Sequence, residues 1–111
     1  MRSGTAARRR HSAFVFAALG DETRLALVAK LATGRPRSIS ELTEGSRLTR
    51  QAITKHLRVL ERAKIVHSVR AGRESRFAFD PEPMEEMRKY LDSVSEQWGE
   101  SLGRLKAFVE G

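Results

Sequence analysis

A mainly α-helical fold with one small β-hairpin is what this sequence of 111 residues predicts, and three observations carry that expectation. The segment Leu48–Leu60 sets Ala52, Ile53, Leu57 and Leu60 at helical spacing, with Arg50, Gln51, Thr54, Lys55 and Arg58 on the opposite side. Shortly after it, Val69–Phe77 reads as two short strand-like runs around a glycine-containing turn, carrying Arg70, Arg73 and Arg76. From Met84 onward, apolar residues recur at steps of three and four as far as Val109. A two-faced helix that follows a short capped helix and precedes a basic hairpin is the pattern of a winged helix-turn-helix.

Taken in order, residues 1–11 carry four arginines and no acid, and are expected to form a disordered basic arm. The apolar run Ser12–Leu19 behind Arg8, Arg9 and Arg10 has the outline of a short export signal. It flows, however, into Gly20-Asp21-Glu22-Thr23-Arg24 with no clear cleavage site, so it reads as a first helix. Asp21 caps a second helix, in which Leu25, Val28 and Leu31, with Leu27 and Ala32 beside them, form one stripe that stops at Gly34 and Pro36. Ser38 and Glu41 have capping-box spacing, Ile39 and Leu42 supply core contacts, and Gly45 ends the short helix. Thr49 caps the next one, so segments 39–45 and 49–63 make the helix-turn-helix. In the hairpin, Val69, Phe77 and Phe79 are expected inward, leaving the three arginines free to lie along a minor groove or on phosphates.

After Pro81 and Pro83 the spacing of Met84, Met87, Leu91, Val94, Trp98, Leu102, Leu105 and Val109 predicts a long amphipathic helix. Its narrow stripe exceeds what a domain of this size needs for its own core and suits pairing with another helix, hence a homodimer. Gly99 and Gly103 inside it either weaken the helix or admit a partner backbone at close range. Residues 12–80 are thus read as a winged helix-turn-helix DNA-binding domain, with 81–111 as a C-terminal dimerisation helix of the same domain.

The net charge of +7 is unevenly distributed. Residues 12–79 hold thirteen basic and six acidic side chains, whereas residues 80–111 hold four basic and eight acidic ones. Basicity gathered on the helix and hairpin, beside an acidic tail, points to a polyanion-binding surface, and double-stranded DNA is the expected partner. The candidate DNA-binding residues are Thr49, Arg50, Gln51, Thr54, Lys55, Arg58, Arg70, Arg73 and Arg76. Gln51 can pair bidentately with adenine; Arg50, Lys55 and Arg58 can reach guanine or phosphates, and Thr54 a base edge or a thymine methyl.

Other chemistries find little support. With no cysteine there is no disulfide, thiolate metal site or cysteine nucleophile. His56 is expected to be a half-buried packing or hydrogen-bonding group, and His11 and His67 to be incidental, since no metal-ligand spacing joins the three. Glu82, Glu85 and Glu86 read as a solvated helix start near its positive dipole end. No nucleophile with its base, phosphate-cradling glycine loop or nucleotide fingerprint is present, so neither an enzyme nor a cofactor is expected. No apolar run reaches the ~20 residues of a membrane span, and the expected location is cytoplasmic.

Ala18-Leu19-Gly20-Asp21-Glu22-Thr23-Arg24, Glu41-Leu42, Leu48-Thr49 through Leu60, Ala63-Lys64-Ile65-Val66 and the turn Gly72-Arg73 together resemble the ArsR-type winged-helix transcriptional regulators over about residues 12–80. The resemblance implies a dimeric regulator, a repressor, that joins through its first and last helices and binds an operator through the helix-turn-helix and wing. Phe14, Met87, Leu91, Val94, Trp98, Leu102 and Leu105 are then the dimer-interface candidates. Metal-sensing members of that family carry a cysteine pair directly after the Glu-Leu, where this chain has Thr43 and Gly45, and histidines on the last helix, where it has none. The chain therefore looks like a member without those metal sites and with its effector unknown, acting on a pseudo-palindromic operator. Two other readings are a protein-interaction module that binds nucleic acid only non-specifically, and a histidine-based metal sensor.

Overall fold

The structure, a computed structural model, describes residues 2–110, with side chains from residue 6 onward. Its elements are α1 (Arg2–Leu19), α2 (Glu22–Ala32), β1 (Arg37–Ser38), α3 (Ile39–Thr43), α4 (Arg50–Arg62), β2 (Val66–Ala71), β3 (Glu74–Phe79) and α5 (Pro81–Glu110). The three strands form an antiparallel sheet in the order β1-β3-β2. The two-residue strand β1 was not expected; it is too short for an alternation to register in the sequence, and only its pairing with Phe77 and Arg76 makes it a strand.

The helix starts expected at Asp21, Ser38 and Thr49 are all present. Asp21 accepts from the Arg24 amide at 3.0 Å and Thr49 from the Ala52 amide at 3.1 Å. Ser38 and Glu41 exchange both bonds of a capping box, at 3.1 and 3.2 Å. The start of α1 differs from expectation. Of the arm expected over residues 1–11, Met1 lies outside the described residues and the chain is helical from Arg2. Val15 and Ala18 already anchor this helix in the core, and extending an anchored helix through Ala6, Ala7 and the arginines adds a hydrogen bond per residue without a new nucleus.

One core joins all the layers: Val15 and Ala18 from α1, Leu27 and Leu31 from α2, Leu42 from α3, Ile53, Leu57 and Leu60 from α4, Phe77 from the sheet, and Met87 from α5. In α2 the buried seam is Leu27 and Leu31, on the side that meets α1 and α4, while Leu25 stays half exposed rather than in the expected stripe. The hairpin is also turned relative to expectation. Val69 pairs with Arg76, and Ser68 with Phe77, so Val69 shares the face of Arg76 and lies opposite Phe77. Because facing residues of a ladder point to one side, this register puts Arg70 and Arg76 on different faces of the wing.

The 30 residues of α5 span about 45 Å. Its first turns cover the chain's own core through Pro83 and Met87, and beyond them its apolar stripe is exposed. The Cα radius of gyration of 18.5 Å, against about 13 Å for a compact chain of this length, reflects that projection. Gly99 and Gly103 have nothing near the place of a side chain, so no packing within the chain requires them. Among the described residues, no helix is long and apolar enough to cross a membrane.

The end of α4 carries a strained residue. The Ile65 amide donates to the Leu60 carbonyl at 3.0 Å and the Lys64 amide to the Glu61 carbonyl at 2.9 Å, the pair of bonds of a Schellman cap. That cap needs a left-handed residue, and Lys64 takes it at φ 62°. A side chain in that conformation costs about 1 kcal/mol relative to glycine, so Lys64→Gly is expected to raise the thermal midpoint by about 4 °C. Thermal denaturation followed by circular dichroism checks this; an unchanged or lower midpoint would show that the lysine side chain offsets the strain.

Candidate nucleic-acid interface

Helix α4 sorts its residues sharply. Ile53, Leu57 and Leu60 are essentially inaccessible, while Arg50, Gln51, Lys55 and Arg58 are exposed on the other side. The chain therefore brings these four together on one solvent face beside the wing. Thr49 and Thr54 lie on the same helix, but their hydroxyls have local work. Thr49 caps the helix, and Thr54 donates to the Arg50 carbonyl one turn back at 2.7 Å.

The wing places its arginines in three settings. Arg70 bonds its own turn, donating from Nε to the Gly72 carbonyl at 3.2 Å. Arg73 sits in the turn itself and lines a cleft together with Arg50. Arg76, on the face opposite Arg70, is paired with Glu74 at 3.3 Å. The three do not form one row, because the register separates the strand arginines.

Two polar junctions hold α4 in position. At its middle, His56 Nδ1 lies 3.1 Å from Arg24 Nη1 and 3.7 Å from Asp21, and the Arg24 Nε also donates to the Ala18 carbonyl at the end of α1. His56 is thus the half-buried hydrogen-bonding group expected, and Arg24 ties the ends of α1 and α2 to α4. At its far end the Glu61 carboxylate accepts from Arg58 at 2.9 Å and from the Ser68 hydroxyl on β2 at 2.7 Å, joining α4 to the wing. Sequence reasoning passed over Glu61, although its position three residues after Arg58 is a pairing signal. For Ser68 the sequence holds no such signal, since its partner lies on another element.

Both junctions depress carboxyl pKa values. The Ser68 hydroxyl, aided by Arg58, holds Glu61 below the usual range against the opposing effect of burial. The Arg24 amide, with His56 and the Arg24 charge, does the same for Asp21. Among the described residues no histidine and carboxylate group is placed to hold a metal ion. His11 is less isolated than expected, lying 3.7 Å from Glu86 across α1 and α5 with both side chains largely exposed.

The candidate dimer residues divide as well. Phe14, Leu91, Trp98, Leu102 and Leu105 are exposed in the single chain, from half to about two thirds of their surface, and Val94 is partly covered. Met87 is not available: it is 4% exposed, turned into the chain's own core because the first turns of α5 close over it. Phe108, 84% exposed, joins the outer face though it falls off the strict stripe, as does Tyr90, whose ring packs 6.0 Å from that of Phe16.

Comparison with known proteins adds an independent line. Residues 19–69 match a helix-turn-helix domain family. The uncharacterized HTH-type transcriptional regulator YuzN of Bacillus subtilis is 38% identical over 81 residues, which cover 68% of this chain and 88% of that protein. Among solved structures, an ArsR-like transcriptional regulator from Rhodococcus sp. RHA1 is 34% identical with a TM-score of 0.78, covering 95% of each chain. The homodimeric winged helix-turn-helix DNA-binding domain of Mb0332 from Mycobacterium bovis, 21% identical over 90% of this chain and 89% of that one, shares the fold with a TM-score of 0.65.

The depressed Glu61 pKa fixes the sign of a pH effect. A carboxyl whose pKa is lower in the folded chain stabilises the fold above its ordinary value of 4.5 and loses that contribution as pH falls through the lowered value. Thermal midpoints of the wild type and Glu61→Gln, measured from about pH 7 down to about pH 3, are expected to converge in the acid range. A gap that stays constant across the range would dissociate Glu61 from the acid sensitivity.

Proposed function

The chain belongs to the ArsR-type winged helix-turn-helix transcriptional regulators, and from that premise we propose that it is a homodimeric repressor whose two α4 helices enter successive major grooves of a pseudo-palindromic operator. The family is one of DNA-binding regulators rather than enzymes. The observation that carries the reading is the division of α4, with an apolar seam locked into the core and Gln51, Lys55 and Arg58 presented to solvent next to a basic wing. Gln51 is the residue suited to reading a base edge; Lys55 and Arg58 suit phosphates or guanine. Double-stranded DNA in the cytoplasm is the partner, half-sites lie about 10 bp or a multiple apart, and no cofactor takes part.

Dimerisation is supported by surface area. The chain exposes 8315 Å², whereas a compact monomer of its mass exposes about 6200 Å². The surplus, about 2000 Å² per chain and so about 4000 Å² for a pair, falls in the range that obligate homodimer interfaces conceal. The projecting part of α5 contributes exposed apolar side chains, Leu91, Trp98, Leu102 and Leu105 with Val94 partly covered, Phe14 adds to them on α1, and Tyr90 and Phe108 extend the patch. The homodimeric relative of the same fold is consistent with this arrangement.

Gel-shift binding to the DNA upstream of its own gene tests the operator: specific retention is expected, and random duplex competing equally well would defeat the sequence-specific part. Gln51→Ala should cost about 1–3 kcal/mol of discrimination at one base position, and Lys55→Ala should shallow the slope of log affinity against log salt by about one unit. An unchanged slope would remove Lys55 from the phosphate contacts. Trp98→Glu, at a position exposed in the single chain, should leave the fold intact but yield a monomer by light scattering. A Trp98→Glu chain that remains dimeric would place the interface elsewhere.

A further inference from the structure

The start of α3, the start of α4 and the tip of the wing enclose a cleft of about 390 Å³ whose walls include Ser38, Ser40, Arg50, Arg73, Glu74 and Ser75. Arg50 and Arg73 come to it from different elements, 23 positions apart in the chain, and among the described residues neither has a carboxylate within ion-pair distance. The one acid in the wall, Glu74, is turned to Arg76, which donates to it from both Nε and Nη2 at 3.3 Å. Ser38 spends its hydroxyl on the capping box, whereas Ser40 and Ser75 are exposed and cap no helix. The cleft therefore combines two uncommitted guanidinium groups, two uncommitted hydroxyls and a neutralised carboxylate. It opens at the start of α4 beside the exposed face that carries Gln51 and Lys55.

We propose that this cleft is the seat of a single backbone phosphate of duplex DNA, clamped by Arg50 and Arg73 and completed by the hydroxyls of Ser40 and Ser75. This rests on the regulator reading and sharpens it. Arg50 becomes a phosphate residue rather than a base reader, Arg73 works with it rather than along a minor groove, and Ser40 and Ser75 enter the interface. The planar, forked donors of two guanidinium groups suit the oxygens of one phosphodiester, and hydroxyls complete its remaining acceptor positions. Base discrimination then falls on Gln51 and Thr54, while the cleft sets how deep and at what angle α4 enters the groove. A phosphate held between helix and wing also fixes the two relative to each other, complementing the Glu61 bridge at the opposite end of α4.

The full chain, titrated by fluorescence anisotropy on the duplex upstream of its own gene and on a random duplex, tests the assignment. Arg50→Ala, and separately the double variant Ser40→Ala with Ser75→Ala, are expected to weaken binding to both duplexes by the same factor, about three- to tenfold, leaving the ratio of the two affinities unchanged. Arg50→Ala should also shallow the salt slope by about one unit, and Arg50→Lys should restore the slope. A single methylphosphonate in the backbone of the upstream duplex, moved along the half-site, should mimic Arg50→Ala at one position and have no further effect on that variant. An altered affinity ratio in Arg50→Ala would make Arg50 a base reader and overturn the proposal, as would serine variants that bind like the wild type. Inorganic phosphate should displace the duplex no better than chloride at matched ionic strength; stronger displacement would make the cleft a free-anion site instead. Failure of the regulator reading looks different, since the wild type itself would then bind both duplexes equally.

Discussion

The burial of Ile53, Leu57 and Leu60 along one seam of α4 is the constraint from which the rest of the molecule follows. Each of these side chains gains roughly 1.5–3 kcal/mol on leaving water. Turning the helix about its axis would expose them and bring Arg50, Gln51 and Lys55 toward the core, where an unpaired charge is far more costly than a lost methyl contact. One rotational setting is therefore strongly preferred, and the polar face is presented to solvent as its consequence. The position of the candidate DNA surface is thus decided by apolar chemistry on the side that never meets DNA.

Rotation about the axis does not by itself fix where along its neighbours the helix sits, and here the polar junctions act. Asp21, Arg24 and His56 connect the ends of α1 and α2 to the middle of α4, and Glu61 with Ser68 connects its end to the wing. Such partly exposed bonds contribute modestly to stability. Their value is geometric, because a carboxylate or guanidinium accepts its partners only over a narrow range of distance and direction. Helix and wing are consequently held to each other at a fixed spacing.

Helix α5 serves two ends at once. Its first turns close the core through Pro83 and Met87, and its remainder projects with Leu91, Trp98 and Leu102 uncovered. Because the same rigid helix belongs to both, anything that covers the projecting stripe is coupled mechanically to the core on which α4 rests. The exposed face of α1 at Phe14 lies on a helix that touches both α4 and α5, so it shares in that coupling.

Interactions within about four residues were legible in the sequence. The caps at Asp21, Ser38 and Thr49, the stop at Gly45, the two faces of α4 and the stripe of α5 all follow from neighbours one turn away, and the structure has each of them. The tertiary structure alone decided what depends on distant partners. Strand β1 exists only because Phe77 and Arg76 pair with it; Val69 and Arg70 acquired their faces from a register set by the whole ladder. Met87 passed from interface to core because the chain closes over it, and Leu25 lost its place to the Leu27–Leu31 seam. The meeting of Arg24 with His56, 32 residues on, and of Arg50 with Arg73 across one cleft has the same origin. Periodicity shows that a residue has a face, but which neighbour occupies that face is fixed only when the core assembles.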